Sequence, residues 1–107
     1  MTPLIKICGI KKFDDVRVAE KNGALWYGLV FHKKSPRNIS LDDAEKIVRK
    51  SAKSIFPVAV TVNPDEVFIK QLIEIGINNI QLHGNETLEY CLFLKKKFNV
   101  KIFKGIG

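Results

Sequence analysis

The sequence predicts an α/β protein built from parallel βα units. Five short apolar runs recur at intervals of about twenty to thirty residues. None of them alternates cleanly between apolar and polar residues, as a strand with one wet face would. The segments between them carry apolar residues at helical spacing. Strands alternating with helices at this period require crossover connections and a parallel sheet.

The first strand is Leu4–Cys8 (LIKIC), which runs out at Gly9. Phe13, Val16 and Ala19 then mark a helical stripe. Asp14 and Asp15 fall in its first turn and Lys21 near its end, the charge order that a helix dipole favours. The second strand is Trp26–Phe31 (WYGLVF), and Ser40 with Asp43 forms an N-cap signal ahead of Ala44, Ile47 and Val48. The third strand, Phe56–Val62 (FPVAVTV), leads through Pro64-Asp65 to a stripe of Val67, Phe68, Leu72 and Ile75 that stops at Gly76. The fourth, Asn79–His83 (NIQLH), precedes a helix opened by Thr87 and carrying Leu88, Cys91, Leu92 and Leu94. That helix ends in Lys95–Lys97, and a fifth strand follows at Val100–Lys104 (VKIFK).

With 107 residues, 46% hydrophobic and 27% charged, the chain has the size and composition of one soluble domain. No apolar run approaches the roughly 20 residues that span a bilayer. No secretory signal precedes the first strand, so a cytoplasmic protein with no membrane partner is expected. Cys8 and Cys91 lie far apart, as do His32 and His83, and no Cys-x-x-Cys or His/Cys cluster occurs. Neither a metal site, nor thioredoxin-like redox chemistry, nor a structural disulfide is expected. The net charge of +7, from 18 basic and 11 acidic residues, is spread along the chain. Without an accompanying aromatic array it reads as solvated surface rather than a nucleic-acid site.

Parallel βα units build either an open doubly wound sheet or a closed (β/α)8 barrel. The first loop is Cys-Gly rather than a glycine-rich phosphate fingerprint, which weighs against a dinucleotide-binding unit. In both architectures ligands bind where the strand-to-helix loops gather, beyond the C-terminal ends of the strands. Four such loops carry polar residues of distinct chemistry: Cys8-Gly9, His32 to Arg37, Asn63-Pro64, and His83 to Glu86.

The stretches KICGI, GALWYGLVFHKKSPR, PVAVTVN and QLHGNE, in this order and spacing, closely resemble the phosphoribosylanthranilate isomerase family of tryptophan biosynthesis. The resemblance runs from Leu4 to Gly107. It implies the parallel (β/α) units of a TIM (β/α)8 barrel, truncated after about the fifth strand as a half-barrel, so that residues 1–107 form one partial barrel domain. It further implies an isomerase that needs no metal or organic cofactor. The reaction is an Amadori rearrangement of N-(5-phosphoribosyl)anthranilate to 1-(2-carboxyphenylamino)-1-deoxyribulose 5-phosphate.

By this resemblance Cys8 matches the general base that takes the proton from C2 of the opened sugar once a Schiff base has formed. A thiol suits the role, because nearby cations lower its ordinary pKa of about 8.5 towards neutrality. A lone cysteine outside such a motif is most often a small buried hydrophobe. Arg37 in Ser-Pro-Arg matches an arginine that engages the anthranilate part of the substrate, where a guanidinium grips a carboxylate with two prongs. His83 matches a substrate-contacting histidine, and Asn63 stands at the corresponding place on the third strand. Cys91 falls on the apolar stripe of the fourth helix and reads as core. His32 and Lys33-Lys34 read as solvated loop, with either lysine able to attract an anionic substrate.

A complete barrel needs eight βα units and at least about 200 residues. The family's general acid, an aspartate ending the sixth strand, and its phosphate loops after strands seven and eight lie beyond Gly107. The resemblance therefore implies that the 107 residues are inactive alone. The acids within them explain themselves otherwise: Asp14, Asp15, Asp42 and Asp43 sit in helical first turns, and no spacing assigns Glu86 as a substitute. The alternative is a catalytically silent remnant or an assembly-dependent binding module. Exposed half-barrel edges predict self-association, pairing with a C-terminal half, or re-pairing as a flavodoxin-like sheet.

Overall fold

In the computed structural model, residues 6–104 are described, with side chains from residue 9 onward. The elements run β1 (Lys6–Cys8), α1 (Phe13–Lys21), β2 (Trp26–Phe31), α2 (Leu41–Lys50), β3 (Phe56–Thr61), α3 (Glu66–Glu74), β4 (Asn79–Leu82), α4 (Leu88–Phe98) and β5 (Lys101–Lys104). Every expected strand and helix is present. Leu4 and Ile5 lie outside the described residues.

Local chemistry sets the helix starts. The side chains of Ser40, Asp65 and Thr87 accept the backbone N–H groups of Asp43, Phe68 and Tyr90, each three residues on. The helix α1 lacks this device, since Lys12 occupies its N-cap and no side-chain cap bond is made. Gly76, at φ +100°, follows the C-terminus of α3, where the sequence places a stop.

All neighbouring strands pair in parallel, in the order β1-β2-β3-β4-β5. Sequential order is what a barrel wall requires. A flavodoxin-like sheet would begin β2-β1-β3, so the doubly wound alternative is overturned. The core joins Val16, Ala19, Ala44, Ile47, Ile69, Leu72, Cys91 and Leu94 of the four helices to Tyr27, Leu29, Ala59, Ile80 and Leu82 of the sheet. These strand residues alternate along the chain and so share one face. On the opposite face Trp26, Val58, Gln81 and Phe103 line a shallow depression, and Phe103 is 48% exposed. Accordingly β4 does alternate, half-buried then buried, contrary to the expectation from its sequence, because only one face of the sheet is covered by helices.

Two helical stripes also differ from expectation. Val67 is exposed and Ile69 fully buried in α3, while Leu88 and Leu92 are exposed in α4. In α4 the inward line runs through Cys91, Leu94 and the half-buried Phe98, at i, i+3 and i+7. Among the described residues no helix is long and apolar enough to cross a membrane.

Candidate functional site

Because all strands are parallel, their C-terminal ends and the loops that follow form one rim. At one end of it, Cys8 closes β1 in register with Gly28. Its side chain lies outside the described residues. The backbone beyond it is fixed: Gly9 N–H and Ile10 N–H both donate to the Gly28 carbonyl oxygen, at 3.0 and 3.1 Å. Gly9 has φ +81°, a conformation that disfavours any residue with a Cβ. A Cβ there would also run into Cδ of Arg37 and lie 3.1 Å from its Nε.

The Arg37 side chain therefore lies directly over the peptide that follows Cys8. Two consecutive turns bring it there. Ser35 N–H donates to His32 O (2.9 Å) and Asn38 N–H to Ser35 O (3.1 Å), and Ile39 N–H then returns to Val30 O (2.9 Å). The loop folds back along the end of β2, and Ser35 Oγ accepts the Arg37 N–H at 3.1 Å. Lys33 and Lys34 are exposed and border a shallow depression with His32 between the β2 and β3 loops.

His83, just past β4, is held by its N–H to Thr61 O at 2.8 Å. Its ring is exposed, and Nε2 makes a 2.6 Å hydrogen bond with the Gln81 amide. The next three residues form a tight cluster with Asn63 and Lys104. Glu86 accepts the Asn63 N–H on Oε2 and the Lys104 ammonium on Oε1, both at 2.7 Å. Lys104 Nζ also donates to Gly84 O at 2.5 Å, and Asn63 Oδ1 accepts the Asn85 N–H at 3.0 Å. Asn63 is left-handed, at φ +46°. Its side chain fills the place of a Gly84 Cβ, which would stand 2.5 Å from Oδ1.

The Glu86 side chain is 1% exposed. Burial pushes its carboxyl up, but the hydrogen bond from Lys104, the backbone N–H groups of Asn63 and Glu86, and the Lys104 charge outweigh it. The net pKa lies below the ordinary carboxylate value. Both carboxylate oxygens are occupied as acceptors, one by the Asn63 N–H and one by the Lys104 ammonium. Lys104 and Gln81 are the rim residues the sequence does not single out. The partners of Lys104 stand in the loop after β4, where no local pattern marks them, whereas Gln81 meets His83 two residues on, inside the Gln-Leu-His-Gly stretch.

The sequence model of N-(5'phosphoribosyl)anthranilate (PRA) isomerase matches residues 5–104. The chain belongs to the PRA isomerase family. The N-(5'-phosphoribosyl)anthranilate isomerase of Zymomonas mobilis is 36% identical over 107 residues, covering 99% of this chain and 51% of that protein. The corresponding protein of Legionella pneumophila is 38% identical, covering 95% and 48%. Among solved structures, the phosphoribosyl anthranilate isomerase of Thermotoga maritima superposes with a TM-score of 0.89 at 33% identity, over 96% of this chain and 50% of that one. A PRA isomerase solved in complex with reduced 1-(o-carboxyphenylamino)-1-deoxyribulose 5-phosphate gives the same TM-score and identity, over 96% and 53%. The chain spans about half the length of the PRA isomerases it matches. Its five strands and four helices are a half of that barrel.

Proposed function

We propose that residues 1–107 form a single partial-barrel domain that supplies the base side of a PRA isomerase site. Cys8 is its general base, while Arg37 and His83 are its substrate contacts. The observation that carries this is the position of Arg37 over Gly9. It sets a permanent cation beside the loop that Cys8 begins, where a cation favours the thiolate and a guanidinium can receive the anthranilate carboxylate.

In the protonated Schiff base formed when the ribose ring opens, whose nitrogen keeps its own proton, the Cys8 thiolate takes the C2 proton. The released electron pair forms the C1–C2 double bond, and the electrons of the carbon–nitrogen double bond return to nitrogen. Transfer of the C2 hydroxyl proton and reprotonation at C1 complete the ketose, with no net change in atoms. The general acid and the phosphate grip come from another polypeptide segment, so the unit works only when assembled with the complementary half of a barrel. Such an enzyme of small-molecule biosynthesis belongs in the cytoplasm.

Growth of an isomerase-deficient tryptophan auxotroph tests this. The chain together with a separately expressed complementary half of a relative restores growth, and the chain alone does not. Cys8→Ala abolishes the rescue. Growth with the chain alone would refute the need for an external acid, and undiminished rescue by Cys8→Ala would remove Cys8 from the mechanism.

A further inference from the structure

The rim carries one cluster that the proposed chemistry does not use, the Asn63–Glu86–Lys104 clasp. It joins three consecutive strand ends. Asn63 follows β3, Gly84 to Glu86 follow β4, and Lys104 ends β5. Its centre is a carboxylate that is 1% exposed in its side chain, with both oxygens engaged at 2.7 Å. Two of its bonds hold the Gly84–Asn85 peptide, one residue past His83, and the other two tie Glu86 to the groups that make them. Lys104 holds the Gly84 carbonyl, the Asn63 side chain holds the Asn85 N–H, and Glu86 holds the Asn63 backbone left-handed. Gly84 is a close-approach glycine, since a Cβ there would collide with the Asn63 side chain.

Surface ion pairs rarely look like this. The other described pairs, Arg49–Glu45 and Lys97–Glu66, have carboxylates that are 35% and 44% exposed. Pairs of that kind order little. A buried carboxylate that accepts one backbone N–H and one ammonium across three elements has a defined geometry to protect.

We propose that Glu86 is a positioning residue. Through Asn63 and Lys104 it fixes the backbone that follows His83, and so the place of the histidine ring on the rim. This rests on the isomerase reading of His83 as a substrate contact. It assigns Glu86 no proton transfer and no contact with substrate.

Two measurements test it. In the 107-residue chain, Glu86→Gln splits or broadens the amide NMR signals of Gly84 and Asn85. Asn63→Ala reproduces the effect, Lys104→Arg preserves single signals, and Glu45→Gln leaves these amides unchanged. Single, unshifted Gly84 and Asn85 signals in Glu86→Gln, with only a lower melting temperature, would overturn the proposal.

In the chain assembled with a complementary half, Glu86→Gln lowers kcat/KM about tenfold. His83→Ala added to it costs little more, because the two substitutions act on one contact. Fully multiplicative losses would mean that Glu86 acts elsewhere, and would also overturn it. If the unsubstituted pair shows no isomerase activity, the isomerase reading itself has failed. The amide signals then still decide whether Glu86 orders the loop.

Discussion

Single residues at the rim act through the space and charge they occupy. Gly9 combines a positive φ with the Arg37 side chain pressed against its Cα. Gly9→Ala is expected to cost about 1–3 kcal/mol in urea denaturation, from backbone strain together with displacement of the arginine. In an Arg37→Ala background part of that cost disappears, and an unchanged cost would show that the arginine does not press on this peptide. Glu86 predicts a pH dependence. Its folded pKa lies below the ordinary 4.5, so its stabilisation is complete above that value and is lost as pH falls through the lower, folded pKa. Glu86→Gln therefore flattens the acid side of the stability–pH curve, and it costs about 1–3 kcal/mol at neutral pH through lost charge-assisted bonds. An acid limb identical in the two proteins would contradict the sign. At this scale the sequence was informative about types and blind to partners. Ser-Pro-Arg and Gln-Leu-His-Gly mark the rim, but the overlap of Arg37 with Gly9 and the reach of Lys104 to Glu86 arise only when the strands align.

Elements were the most legible level, because their signals are local. Ser40, Asp65 and Thr87 each cap the backbone three residues ahead, and each apolar run becomes a strand. The reading failed where several apolar residues competed for one helical face. Leu88 and Leu92 lie on the outer side of α4, while Cys91 and Leu94 lie inward. Which stripe wins depends on the sheet beneath, which the spacing alone does not specify. The same local physics predicts an improvement. Lys12 is extended, at φ −132° and ψ 145°, with no side-chain cap for α1. Lys12→Asp or Lys12→Ser in that geometry is expected to stabilise the chain by about 0.5–2 kcal/mol. Thr87→Ala is expected to destabilise it by about 1 kcal/mol, and parallel urea titrations compare the two. A destabilising Lys12→Ser would show that α1 starts elsewhere.

Over the described residues a five-stranded parallel sheet carries helices on one face, and the other face decides its behaviour in solution. On that face Phe56 and Phe103 are 49% and 48% exposed, next to Trp26 and Val58. The sheet ends at β1 on one side and β5 on the other. In the matched isomerases an equal length of chain remains beyond the half that corresponds to this one. Covering an aromatic side chain is worth about 1.5–3 kcal/mol. Several together on one face offset the entropy of association, which a single residue does not. The 107-residue chain alone is therefore expected to sediment, at tens of micromolar, as species heavier than its 12.1 kDa. Phe56→Lys with Phe103→Lys, which leaves the helix-covered core untouched, is expected to return it to the monomer. A well-folded monomer of the unsubstituted chain would show that the polar residues on this face, Asn79, Gln81 and Lys101, suffice to keep it in water. In that case neither the aromatic face nor the open edges at β1 and β5 would drive self-association.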